Sequence, residues 1–225
     1  MKKIAIHQSQ YLPWPPYFKK IAMADVFVIM DNVQYQRGGL QNRNKLRNKS
    51  GDFWMTIPVS GDYSDPISQM NIAEEDWNEK HWKSITRSYA KAPFWIEYEK
   101  ELEHLYQKKY TKLIEINDAV FYFFIEHLGI DTKIVYLSQL HVDGEKSDLI
   151  LNICRHFEAD QYISGFGSKN YLDEQAFAKN NIEIKYEESV PPNYRQFHGE
   201  FISGLSTLDM ILNVSNDEIQ NYFNK

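Results

Sequence analysis

Short apolar runs alternate with amphipathic segments along this chain. Runs of strand length occupy residues 3–6, 25–30, 133–137 and 161–164, and most are followed by a stretch with helical spacing. Uninterrupted apolar runs of this length are typical of parallel strands buried on both faces. A shorter run at 182–186 predicts a strand near the sheet edge. The alternation predicts an α/β fold with three layers and a mostly parallel sheet.

The middle of the chain follows a different pattern. Residues 36–47 are polar and contain two glycines, which predicts a loop, and residues 53–59 follow as a strand after a Gly-Asp turn. Around 76–128 apolar residues recur at helical spacing, so we expect a mainly helical section that is divided at Pro93. A helical tail begins near Ser206. The whole chain of 225 residues is predicted to form one domain.

Three further helices connect the predicted strands. They are expected at residues 18–24, 147–156 and 172–180, where apolar residues recur every three or four positions. Ser147 has the residue type of an N-cap, and Asp148 would then lie favourably in the first turn of its helix. These helices would cover the faces of the sheet.

Composition limits the classes of partner. The formal net charge of −6 disfavours an extended nucleic-acid interface, because binding to phosphate backbones needs a basic face. One local basic segment stands out at residues 37–49, and it is either an anion-binding segment or a solvated loop.

The single cysteine and the hydropathy pattern suggest an intracellular protein. Cys154 excludes an internal disulfide, and its apolar neighbours favour a packing role. No apolar run approaches the roughly 20 residues needed to span a bilayer, and the chain starts without a cleavable signal pattern. We therefore expect a soluble, cytoplasmic protein with no membrane insertion.

Polar residues follow the first two predicted strands. His7 and Gln8 end the first strand, and Asp31 and Gln34 follow the second. The carboxyl ends of parallel strands are where α/β sheets bind ligands, so these residues define a candidate crevice. We predict His7 as a general base and Asp31 as its orienting partner or a hydroxyl ligand. The alternatives are a histidine that satisfies a loop carbonyl and an aspartate that caps a turn.

Further residues are predicted to bind substrate. Pro13, Pro15 and Pro16 stiffen the exit of the first strand. They would hold aromatic rings that can stack on a base or sugar, and basic and small residues elsewhere would contact an anionic group. The predicted binding residues, beyond Gln8 and Gln34, are Tyr11, Trp14, Asn42, Arg43, Lys45, Ser164, Gly165 and Tyr171. A tight structural turn is the alternative at 164–168.

Several familiar catalytic motifs are absent from the sequence. It contains no G-x-x-x-x-G-K-[ST] loop, no H-E-x-x-H helix and no G-x-S-x-G elbow. The seven histidines show no spacing typical of metal ligands, so no metal site is expected, and the sequence indicates no particular cofactor.

Six segments together resemble the WbqC-like protein family. They are IAIHQSQYLPWPPYFKKIAMADVFVIMDNVQY, QNRNKLR, WMTIPV, YAKAPFW, YISGFGSKNYL and LSTLDMILN, and they extend over almost the whole chain. The chain departs from the family pattern at Ser9, where a Pro is usual, and at Pro16, where a Gly is usual. The closing motif also lacks its usual Gly after Asn213.

The resemblance implies a role in surface polysaccharide or O-antigen biosynthesis. The expected function is a cytoplasmic transferase that acts on a nucleotide-linked amino sugar, by acyl or aminoacyl transfer, on a nucleotide-binding-like fold. The alternative is a non-catalytic protein that binds a nucleotide sugar or a partner of the same pathway. The oligomeric state is left open.

Overall fold

A computed structural model describes residues 1–188 and 190–223. The strands are β1 (Lys3–Gln8), β2 (Val26–Met30), β3 (Arg43–Asn48), β4 (Gly51–Thr56), β5 (Val59–Ser60), β6 (Asn71–Ile72), β7 (Lys133–Tyr136), β8 (Gln161–Gly165) and β9 (Glu183–Glu187). The helices are α1 (Pro15–Ala22), α2 (Trp77–Tyr89), α3 (Trp95–Gln107), α4 (Leu113–His127), α5 (Lys146–His156), α6 (Glu174–Lys179), α7 (Thr207–Asn213) and α8 (Asn216–Phe223).

The described residues fall into two compact units. The first contains those of 1–8, 16–32 and 130–190, and the second contains those of 9–15, 33–129 and 191–225. Each unit has its own sheet structure, and the long parallel sheet belongs to the first.

The first unit is built on a five-stranded parallel sheet. Its strand order is β7-β2-β1-β8-β9, and every neighbouring pair is parallel. Ile4, Ala5 and Ile6 of the central β1 are almost completely buried, as expected for a strand covered on both faces. The predicted α/β class is confirmed, and β9 lies at the sheet edge as predicted.

The helices predicted at 18–24, 147–156 and 172–180 are present with shifted boundaries, at Pro15–Ala22, Lys146–His156 and Glu174–Lys179. Helix α1 begins three residues earlier than predicted, because Pro15 and Pro16 fit the first turn, where helix N–H groups have no intrahelical acceptor. The predicted N-cap at Ser147 is wrong, because α5 already begins at Lys146. The Ser147 hydroxyl instead accepts a hydrogen bond from the backbone N–H of Asp173, at 2.8 Å.

The second unit contains the predicted helical section and an unpredicted hairpin. Helices α2, α3 and α4 occupy the middle section, and Gly129 follows α4 with a positive φ of 64°. The prediction of a loop over 36–47 is wrong in its second half, because β3 begins at Arg43 and pairs antiparallel with β4. Gly51, at a φ of 125°, follows the two-residue connection of this hairpin.

The single cysteine is a buried core residue. Cys154 lies on α5 with no exposed surface, and burial raises the pKa of its thiol to about 12. The thiol is therefore protonated and packed in the core. Across residues 1–188 and 190–223, no helix has the length and apolar character needed to cross a bilayer.

Candidate functional site

The order of the parallel strands reverses direction at β1. From β1 the chain adds β2 and then β7 on one side, and it adds β8 and β9 on the other side. In open α/β sheets, ligands bind outside the carboxyl ends of the strands that flank such a reversal, which is called the switch point. The topology of the first unit therefore places the candidate site at the ends of β1 and β8.

The two strands at the switch point separate before they end. Their pairing runs only from Lys3 opposite Gln161 to Ala5 opposite Ile163. Beyond that register β1 stays paired with β2, and β8 stays paired with β9, to the last residue of each strand. The pairing of β1 with β8 thus ends before either strand does, and this unpaired stretch, here called the gap, lies at the edge where a ligand is expected.

His7 lies on β1 at this edge and is partly buried. Its Nδ1 is 3.2 Å from the backbone carbonyl oxygen of Gln8. A carbonyl can only accept, so Nδ1 carries the proton and Nε2 keeps its lone pair. Burial, and secondarily the positive charge of Lys20, lower the pKa of His7 to about 3, while the hydrogen bond to Gln8 acts in the opposite direction. The ring is therefore neutral at physiological pH.

Lys20 is a candidate site residue that the sequence pattern did not indicate. It lies on α1, its residue is only 4 % exposed, and its Nζ donates to the carbonyl oxygen of Ile6 at 3.0 Å. Among the described residues, no carboxylate oxygen is within 4.0 Å of this ammonium. Burial lowers the pKa of Lys20 to about 7. The sequence does offer one indication that Lys20 is buried: it follows the buried Tyr17 by three residues, and residues three apart share a helix face.

Asp31 follows β2, the strand next to β1. Its residue is 6 % exposed, and its Oδ1 accepts a hydrogen bond from the backbone N–H of Ser138 at 3.0 Å. The His7 ring has a different partner, the carbonyl of Gln8. No hydrogen bond links the two side chains among the described residues, so in this structure Asp31 does not orient His7.

The turn after β8 is ordered by serine hydroxyls. Ser168 Oγ donates to the carbonyl oxygen of Gly165 at 2.7 Å, and the hydroxyl of the buried Ser164 is hydrogen-bonded to Ser168. A Cβ atom built at Gly165 or Gly167 would meet no heavy atom within 4 Å. The backbone of this turn is thus open to an approaching group, and Tyr171 beyond it is 54 % exposed.

The aromatic residues predicted to stack on a ligand belong to the second unit. Tyr11 is fully buried there, and its hydroxyl is 2.6 Å from that of Tyr106 and 2.8 Å from Nδ1 of His81. Its ring is therefore part of the core and has no exposed face to offer. Trp14 is only partly buried.

The predicted anion-binding residues already have partners in the hairpin of the second unit. The guanidinium of Arg43 lies 4.4 Å from the centre of the exposed Trp54 ring and donates to the carbonyl of Gly38. The ammonium of Lys45 is 2.7 Å from a carboxylate oxygen of Asp52, and the same ammonium lies 5.3 Å from the Trp54 ring centre. Both cations are thus held on an aromatic surface of the hairpin.

Two predicted amides also make structural contacts in this unit. The buried Asn42 donates from Nδ2 to the carbonyl of Ile57 at 2.7 Å, and Gln34 donates from Nε2 to the carbonyl of Tyr63 at 3.2 Å. These bonds connect neighbouring segments of the unit. In the described part of the chain, no group of three or more His, Cys, Asp or Glu residues could hold a metal ion.

A second buried polar network lies around Asp209, within the LSTLDMILN segment. Its Oδ1 accepts from the hydroxyl of Tyr89 and its Oδ2 from the hydroxyl of Tyr194, each at 2.7 Å. The Tyr89 hydroxyl in turn accepts from the backbone N–H of Arg47 at 3.1 Å. Burial raises the pKa of Asp209. Every atom of this chain of contacts belongs to the second unit, where it connects β3, α2 and α7.

Comparison with known proteins agrees with the sequence resemblance. The chain is 31% identical over 218 residues to the uncharacterized protein Rv1507c of Mycobacterium tuberculosis, and the match covers 95% of this chain and 94% of that protein. A model of the WbqC-like protein family matches residues 8–221. The match includes the ends of β1 and β8 and the Asp209 network, and the chain therefore belongs to the WbqC-like protein family.

Proposed function

We propose that this protein is a cytoplasmic transferase that acts on a nucleotide-linked amino sugar in surface polysaccharide biosynthesis, by acyl or aminoacyl transfer. The observation that carries the proposal is the gap between β1 and β8, which His7 borders at the switch point of a parallel sheet. The resemblance to WbqC-like proteins supports the pathway.

In this proposal His7 receives the proton of the attacking amine or hydroxyl. Its Nε2 has a lone pair and no hydrogen-bond partner among the described residues, so it can accept from the nucleophile in the ground state. With a pKa of about 3 the ring is a weak base. A weak base suffices for an amine, because an attacking amine becomes strongly acidic as its new bond forms.

The binding residues are proposed to act around this group. The open backbone at Gly165 would contact a phosphate or ribose, with Gln8 and Ser164 beside it at the strand ends. Asp31 would bind a sugar hydroxyl with its Oδ2. The binding roles of the second unit's residues, such as Trp14 and Arg43, stay predictions.

A thermal-shift panel of nucleotide sugars, with and without acyl donors, tests the proposal. A ligand at 100 times its dissociation constant stabilises the native state by about 2.7 kcal/mol, so a true substrate gives a clear shift. Absence of any response to nucleotide-linked sugars would refute the proposed substrate class.

A variant pair tests the role of His7. We expect His7→Ala to abolish turnover of a hit from the panel while the circular dichroism spectrum stays unchanged. His141→Ala is the matched control, because His141 is an exposed histidine in the same unit. A normally folded His7→Ala variant with full activity would remove His7 from the mechanism.

A second candidate function is a non-catalytic protein that binds a nucleotide sugar or a partner of the same pathway. It is favoured by the separate hydrogen bonds of His7 and Asp31, since these two groups do not form a catalytic pair. The two functions differ in one measurement. A binder gives a thermal shift with nucleotide sugars but releases no product when acyl donors are added.

A further inference from the structure

Lys20 is a buried cation for which the described residues supply no counter-ion. Its Nζ contacts one acceptor, the carbonyl oxygen of Ile6 at 3.0 Å, and an ammonium has three protons to donate. No ion pair involves it among the described residues. Buried charges in proteins are normally paired, so an isolated ammonium at this depth needs an explanation.

The position of this ammonium is at the switch point. Ile6 is the residue directly after Ala5, where the pairing of β1 with β8 ends. Lys20 therefore contacts the backbone of β1 where the two strands begin to separate, and its charge is close enough to His7 to lower the pKa of that ring. A ligand that enters the gap from the carboxyl end of the sheet approaches this group.

We propose that Lys20 is the counter-ion for an anionic oxygen group of the substrate, either a phosphate or a carboxylate, and that the site takes up a proton when this group binds. The proposal rests on the proposed function, because a nucleotide sugar carries phosphates and an acyl or aminoacyl donor carries a carboxylate. The oxygen anion would accept the ammonium protons that the protein leaves without acceptors.

Proton uptake follows from the surroundings of the amine. Burial holds the pKa of Lys20 near 7, so a substantial fraction is neutral at physiological pH before a ligand binds. The titratable groups on its own helix and on or beside β1 and β2 include His7, Tyr17, Lys19 and Asp31. The His7 ring titrates far below this range, and the Asp31 carboxylate is bonded to Ser138. A bound anion would therefore raise the pKa of Lys20 and fix its proton.

Nuclear magnetic resonance of protein labelled with ¹³C at the lysine Cε carbons tests this proposal. The Cε signal of Lys20, assigned by its loss in Lys20→Met, is followed against pH in sodium chloride, sodium sulfate and sodium acetate at equal ionic strength. Sulfate represents a phosphate, acetate represents a carboxylate, and neither titrates between pH 6 and 9. If Lys20→Met does not fold, Lys20→Arg removes the same signal and keeps the charge.

We expect the Lys20 midpoint to lie near pH 7 in chloride and to rise by about one unit or more in sulfate or acetate, a tenfold gain in proton affinity. The salt that gives the larger rise identifies the phosphate or the carboxylate as the partner. The Cε signal of the exposed Lys179 on α6 is the matched control, and it should be the same in the three salts. An identical Lys20 midpoint in the three salts would overturn the proposal.

This result is separable from the proposed function. A sulfate-dependent midpoint together with a thermal-shift panel that shows no response to nucleotide sugars would refute the proposed substrate and keep the anion site. A panel that responds, together with a Lys20 midpoint that sulfate, acetate and the nucleotide sugar all leave unchanged, would refute the anion site and keep the substrate.

Discussion

Replacement of Lys20 by Met should stabilise the protein at neutral pH. Methionine keeps most of the volume of the lysine stem and removes the buried amine. The drop in the pKa of Lys20 from 10.5 to about 7 corresponds to about 4 kcal/mol of native-state destabilisation at pH 7. Loss of the hydrogen bond to Ile6 offsets about 1 kcal/mol. We therefore expect a net gain of roughly 1–3 kcal/mol in the free energy of unfolding.

The stability gain should depend on pH with a defined sign. Between pH 7 and 10.5 the unfolded chain binds more protons at Lys20 than the native protein, so wild-type stability rises with pH across this window. From pH 7 to 9.5 the wild type should gain about 3 kcal/mol relative to Lys20→Met, because the variant lacks this titration. The variant's advantage should therefore disappear as the pH rises.

The assay must report on the first unit. All five tryptophans, at positions 14, 54, 77, 82 and 95, lie in the ranges of the second unit, so their fluorescence is a poor measure of unfolding around Lys20. Urea unfolding followed by circular dichroism, together with amide hydrogen exchange of peptides from β1 and α1, measures the relevant stability.

A matched variant separates the effect of removing a buried lysine on stability from the effect of removing any lysine charge. Lys179→Met removes an exposed lysine from the same unit and should change the stability by less than about 0.5 kcal/mol at either pH. The reasoning is refuted if Lys20→Met is less stable than the wild type at pH 7 and the difference does not change up to pH 9.5.

Two further variants test other parts of the structure. Tyr89→Phe removes the donor to Oδ1 of Asp209 and the acceptor of the Arg47 backbone N–H, while Oδ2 of Asp209 keeps its bond from Tyr194. The variant should therefore destabilise the second unit by about 2–3 kcal/mol in urea unfolding monitored by tryptophan fluorescence, whereas Tyr63→Phe on the surface should cost less than about 0.5 kcal/mol. Gly165→Ala should fold normally, because the added Cβ meets no atom within 4 Å. The variant should bind a nucleotide sugar about tenfold more weakly in the thermal-shift titration. Unchanged affinity would exclude contact of the ligand with the backbone at this turn.

Local sequence pattern predicted the elements of the sheet well. The apolar runs that form β1, β2 and β8 are short, continuous and bounded by polar residues. The helical spacing over 76–128 extends over enough residues to predict helices without tertiary information. His7 and Ser164 were placed at strand ends for the same reason. Family membership was also determined by the sequence, through the order of its matching segments.

The features that local sequence did not predict depend on pairing between distant segments. The segment Arg43–Asn48 is polar, and its local pattern predicts a loop. It forms β3 because β4 supplies the antiparallel partner. Strand order is likewise absent from local pattern, so the switch point between β1 and β8 appears only in the folded sheet. Lysine is almost always exposed, and only the packing of α1 onto β1 buries Lys20 without a counter-ion. Local sequence is thus enough to predict the strands of the parallel sheet, the helices and the family, whereas the burial of the Lys20 charge follows only from the fold, because burial depends on contacts between distant segments.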